Sequence, residues 1–117
     1  MRYKFEDLER EVYPNDHNVQ HNDIVVMATD GVTDNLFDEQ IIDQCVRPNV
    51  QKDSGELPRP EDAAICISML AEAVSYSKTV ETPWTKHAVA HGRDHQDELG
   101  GKPDDITVIV AQIKLKQ

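Results

Sequence analysis

The chain has 117 residues and a mass of 13.2 kDa, room for one domain and too little for two ordinary ones. Twelve Lys and Arg against 22 Asp and Glu leave a formal charge of −10, which excludes nucleic acid as a partner and an anionic membrane as a docking surface, because both need a basic face. Leu, Ile, Val and Phe account for 28 residues, above the roughly 20% below which a charged chain stays disordered, so a core of modest size is expected.

In chain order, residues 1–22 are polar, with room for a strand near residues 2–9 and a turn at Pro14-Asn15-Asp16. The start, Met1-Arg2-Tyr3-Lys4-Phe5-Glu6-Asp7, has no apolar stretch behind it and reads as neither a signal nor a transit peptide. No apolar run approaches the roughly 18 residues that span a bilayer, so no membrane insertion and an intracellular location are expected. Ile24-Val25-Val26-Met27-Ala28 is a short apolar run rich in β-branched residues and predicts a strand buried on both faces. Residues 29–35 read as a loop, in which Gly31 lets the backbone turn sharply after Asp30.

Asp38 is a candidate N-cap, and Ile41, Ile42, Cys45 and Val46 share one face, predicting a helix over 38–46 that stops before Pro48. Three prolines and a glycine make 47–60 a loop. The strongest helical period follows over 61–77, where Ala63, Ile67, Leu70 and Val74 form one stripe behind Pro60. Residues 78–103 read as a long polar loop or insertion, anchored by Trp84. The run from Ile106 to Ile113 predicts a second strand. Cys45 and Cys66 stand apart with no Cys-X-X-Cys pair and read as two reduced thiols, although spacing alone leaves a disulfide open.

Asp30 stands just past the first strand, and Asp104 and Asp105 stand just before the last. If those strands pair antiparallel, Asp30 and Asp104 meet at one edge of a sheet. Two carboxylates so placed repel unless a cation lies between them or one is protonated. Oxygen-only ligands suit a hard cation, Mg²⁺ or Mn²⁺. Taken singly, each motif has a plainer reading: Asp-Gly is a common turn pair, and Asp104 after Pro103 can simply open a strand. His87, His91 and His95 recur every four residues and could stack on a helix as a Zn²⁺ or Ni²⁺ site, but Gly92 and the polar surroundings favour a solvated segment.

The stretch from Ile24 through Ala28-Thr29-Asp30-Gly31-Val32-Thr33-Asp34-Asn35-Leu36-Phe37, followed by Gly100-Gly101-Lys102-Pro103-Asp104-Asp105-Ile106-Thr107, resembles the C-terminal part of the metal-dependent serine/threonine protein phosphatases of type 2C, the PPM family. The first block resembles the family's Ala-(Thr/Ser)-Asp-Gly-X-X-Asp motif. The second resembles its Asp-Asn-X-Thr motif, with Asp105 in place of Asn. The wording of both blocks is most similar to a small mitochondrial branch in fungi and animals. The resemblance implies an α+β fold, the C-terminal part of an α-β-β-α sandwich of antiparallel sheets flanked by helices, incomplete in this chain. It implies hydrolysis of phosphoserine and phosphothreonine in phosphoprotein substrates by a metal-activated water, and a mitochondrial location. Asp30 and Asp104 would be ligands of one Mg²⁺ or Mn²⁺ ion in a two-metal centre. Gly31, Asp34 and Asp105 would lie close by, Asp34 as a supporting or weak extra-metal residue.

The family's site also uses an N-terminal acidic pair, an Asp-Gly-X-Gly-Gly motif, a phosphate-binding arginine and a general-acid histidine. The only Asp-Gly here is Asp30-Gly31, so no catalytic residue is assigned in this chain. Residues 1–117 are therefore expected to be the C-terminal third to half of a phosphatase domain, with weak metal binding and negligible turnover in isolation. The other reading is a catalytically inactive phosphatase-like fragment that acts as a binding or regulatory module.

Overall fold

The computed structural model describes residues 17–90 and 99–116. The strand expected near residues 2–9, and His91 and His95, lie outside the described residues. The elements run β1 (Ile24–Ala28), α1 (Asp30–Thr33), α2 (Asp38–Gln40), a π-helical stretch (Ile41–Val46), a 3-10 turn (Arg47–Asn49), α3 (Pro60–Ser75), α4 (Pro83–Ala90) and β2 (Val108–Gln112). The fold is α+β.

The β-branched runs become strands, and β1 pairs with β2 antiparallel, from Ile24 opposite Gln112 to Ala28 opposite Val108. Beyond one end, the Asn22 and Ile113 amides donate to the Ile113 and Asp23 carbonyls at 2.8 Å each. Beyond the other, the Thr29 amide donates to the Thr107 carbonyl at 3.1 Å. β2 is thus shorter than the predicted 106–113, although its neighbours keep the ladder partners. Alternation places Ile24, Val26, Ala28, Val108 and Val110 against the core. Met27 and Ile109, opposite each other on the far face, are 55% and 52% exposed. The expectation that β1 is buried on both faces is therefore corrected. The helices cover one face, and among the described residues no second layer covers the other.

α3 supplies the helical side of the core. Its stripe of Ala63, Ile67 and Ala71 is fully buried, and Ile67 and Ala71 join Val32, Leu36, Ile41 and Cys45 in the core. Pro60 occupies the first turn, where no amide donor is needed. The Glu61 carboxylate is held below its usual range by a backbone hydrogen bond at this helix start, with a smaller contribution from Arg59, whose Nε lies 3.3 Å away. The helix ends at Ser75 rather than 77 because the Gly100-Gly101 segment docks there. The Gly101 amide donates to the Ser77 carbonyl at 2.9 Å. A Cβ on Gly101 would run into the Val74 carbonyl oxygen and Ser75, so this close approach requires glycine.

The predicted helix over 38–46 is instead a short α-turn that widens into π-type geometry, with the Arg47 amide donating to the Ile42 carbonyl. Phe37, not Asp38, occupies the cap position, and its amide donates to the Gln40 side chain at 2.8 Å. The segment read as a polar loop over 78–103 contains α4. Fully buried Thr82 begins it: its hydroxyl accepts from the Thr85 amide at 3.3 Å, while its amide donates to the Thr85 hydroxyl at 3.0 Å. This reciprocal cap precedes Pro83, a favoured first helical residue.

Cys45 and Cys66 are joined by a disulfide, with Cα atoms 5.4 Å apart and a sequence separation of 21. The expectation of two reduced thiols is corrected. Packing of α3 on the π-helical stretch brings together two cysteines that the sequence keeps apart.

Candidate functional site

β1 ends where α1 begins, so Asp30 is the first helical residue at an edge of the sheet. The antiparallel register brings the segment before β2 to that same edge. Thr29 ties the two segments together. Its hydroxyl donates to the Asp105 carbonyl at 2.9 Å and accepts the Thr107 amide at 3.0 Å. Asp104 and Asp105 are exposed on this segment, and Asp104 Oδ1 accepts the Asp105 amide at 2.8 Å. The strand ends thus carry Asp30 and the Asp104-Asp105 pair to one edge, as their placement in the sequence predicts.

Gly31 works differently from expectation. It lies in a helical turn and has no positive φ. A Cβ there would meet the Asp105 carbonyl oxygen and come within 3.2 Å of Ile106 Cγ1. Gly31 is needed because the two segments touch, not because the chain turns sharply.

A cavity of about 420 Å³ opens beside Asp30, lined by Asp30, Asp34, Pro83, Trp84, His87 and Lys102. Three residues absent from the sequence-based candidates organise it. The first is Asn35, which is fully buried. Its Nδ2 donates to the Gly31 carbonyl at 2.8 Å and to the Lys102 carbonyl at 2.9 Å, and its Oδ1 accepts the Lys102 amide at 2.8 Å. The second is Lys102, whose Nζ lies 3.6 Å from Asp34 Oδ2 and 4.1 Å from the centre of the Trp84 ring. The third is Thr29, described above. The Trp84 backbone amide donates to the Asp34 carbonyl at 2.9 Å, which joins the start of α4 to the residue that follows α1. The signal for Asn35 was a lone amide between Val32 and Leu36, two fully or almost fully buried residues.

Asp30 and Asp104 offer the oxygen donors that a hard cation takes. They match Mg²⁺ or Mn²⁺ in kind, as a partial ligand set. Among the described residues, no three His, Cys, Asp or Glu side chains converge on one point where an ion could sit. His87 lies on α4 and lines the cavity, while the rest of the histidine series falls outside the described residues. No helix of the described residues is long and apolar enough to cross a membrane.

No family model matches the chain. Among curated proteins it is 33% identical over 105 residues to probable protein phosphatase 2C 1 of Oryza sativa subsp. japonica, an alignment covering 83% of this chain and 29% of that protein. It is 35% identical over 97 residues to protein phosphatase PTC7 homolog fig of Drosophila virilis, covering 83% of this chain and 29% of that protein. It is 33% identical over 100 residues to the 5-azacytidine resistance protein azr1 of Schizosaccharomyces pombe, covering 86% of this chain and 32% of that protein. Among solved structures, the photosystem II phosphatase PBCP superposes with a TM-score of 0.67 at 30% identity, covering 84% of this chain and 38% of that one. The chain thus spans about three-tenths of the length of these curated relatives.

Proposed function

The chain corresponds to a C-terminal portion of the type 2C protein phosphatases, and on that footing we propose that it supplies one side of the active site of a serine/threonine protein phosphatase. The observation that carries the reading is the clamp at the sheet edge: Thr29 is bonded to both Asp105 and Thr107, and Asp30 and Asp104 are the chain neighbours of Thr29 and Asp105. In this reading Asp30 and Asp104 bind one Mg²⁺ or Mn²⁺ ion of a two-metal centre, and the other ligands come from outside this chain. Bound ions supply an activated water and offset the charge on the phosphoryl oxygens.

The chain's own residues position that chemistry. Gly31 lets the Asp30 turn seat directly on the Asp105 backbone. Asn35 fixes the loop that leads into Asp104, and Trp84 packs α4 beside the site. The substrates are phosphoproteins, and the setting is mitochondrial by the wording of the two motif blocks.

The test is a phosphoserine-peptide hydrolysis assay on the complete polypeptide that contains this chain. The reading predicts release of phosphate that stops on chelation and returns with Mn²⁺ or Mg²⁺. Hydrolysis indifferent to chelator would contradict it. A complete absence of hydrolysis with either ion would favour the inactive binding-module reading.

A further inference from the structure

We propose that Lys102 acts as a tethered cation for Asp34, so that Asp34 is a positioning residue in this protein and not a metal ligand. Four observations carry this. Lys102 Nζ lies 3.6 Å from Asp34 Oδ2, and both side chains are partly withdrawn from solvent, at 38% and 26% exposure. The same ammonium lies 4.1 Å over the Trp84 ring, so it sits between a carboxylate and an electron-rich ring face. Its backbone is not free to swing away, because the buried Asn35 amide holds both the Lys102 N–H and the Lys102 carbonyl. Asp34 and Trp84 are joined a second time through backbone, the Trp84 amide donating to the Asp34 carbonyl at 2.9 Å.

Asp34 and Lys102 line the same cavity as Asp30. A carboxylate in that place would otherwise attract a divalent ion. An ammonium at contact distance offsets its charge and repels a metal cation, even at a solvent-like dielectric. The arrangement leaves the divalent ions to Asp30 and Asp104. It also spends the Asp34 charge on holding α4 against the mouth of the site. The inference deepens the phosphatase reading, but its test is ion binding and does not require turnover.

The probe is Tb³⁺, a hard, oxygen-seeking ion whose emission is sensitised by a nearby indole. Trp84 is the only tryptophan in the chain, so the signal reports on this cavity. Titrations compare the chain with Asp34→Asn, Lys102→Met and the double variant. Asp34→Asn is expected to bind no more tightly than the unaltered chain, because it leaves the ammonium in the cavity without its counter-charge. Lys102→Met is expected to bind Tb³⁺ about tenfold more tightly or better, since the repulsion is gone. Adding Asp34→Asn to Lys102→Met is expected to remove that gain, and Mn²⁺ competition is expected to follow the same order. If Lys102→Met leaves the Tb³⁺ affinity unchanged, Asp34 is not held by Lys102 and the inference fails. Lys102→Gln removes the same charge and decides the matter if Lys102→Met does not fold. Loss of phosphatase activity on altering Asp30, or its retention, bears on the function and leaves this result standing.

Discussion

Replacing Asp104 by Asn in the complete polypeptide is expected to lower kcat/KM for a phosphoserine peptide by about a hundredfold or more, and Asp30→Asn is expected to do the same. Both substitutions keep shape and volume and remove a full negative charge. Both carboxylates are exposed, so neither contributes much to the core, and folding is expected to be nearly unchanged. The two effects are expected not to add, because the proposed function makes both side chains ligands of one ion, and such ligands act as a unit. Raising the Mn²⁺ concentration is expected to recover part of the activity, as it does when affinity rather than geometry is lost. Circular dichroism and thermal unfolding separate this outcome from simple misfolding.

The largest expected effect on stability lies at Asn35. Asn35→Leu keeps the size of the side chain but orphans the Gly31 carbonyl, the Lys102 carbonyl and the Lys102 amide. Each buried unpaired polar group costs about 1–3 kcal/mol, so a loss of about 4 kcal/mol is expected in denaturant unfolding. The same change is expected to free Lys102 from Trp84 and shift the tryptophan emission. A loss under about 1 kcal/mol would mean that the 100–105 segment is held by other contacts.

The parts of the fold that were legible in the sequence are those set by local pattern. β1 and β2 follow from β-branched runs, and α3 follows from the spacing of Ala63, Ile67 and Val74 behind Pro60. The meeting of Asp30 with the Asp104 segment was also legible, because strand ends and an antiparallel guess suffice to place it. What stayed hidden depends on contacts between distant segments. The disulfide joins residues 21 apart in sequence, and nothing in the spacing of two cysteines selects pairing over free thiols. Gly31 stands out in the sequence for its turn, whereas the structure needs a glycine there because the Asp105 backbone presses against it. α4 was missed because its residues are polar, although Thr82, Pro83 and Thr85 carry a capping signal that could have marked its start. Asn35 and Lys102 were invisible as a pair because their bonds span 67 residues.

The bare face of the sheet is consistent with a longer domain. Met27 and Ile109 present apolar surface opposite the helical layer. The solved phosphatase that superposes on this chain is matched over only 38% of its length.

Whether Asp30 and Asp104 hold the same ion is tested most directly by Mn²⁺ broadening of backbone amide NMR signals. At low Mn²⁺ the amides of Asp30, Gly31, Asp104 and Asp105 are expected to broaden together, and Asp104→Asn is expected to release all four at once. Broadening confined to one of the two segments, or unaffected by Asp104→Asn, would contradict a shared site.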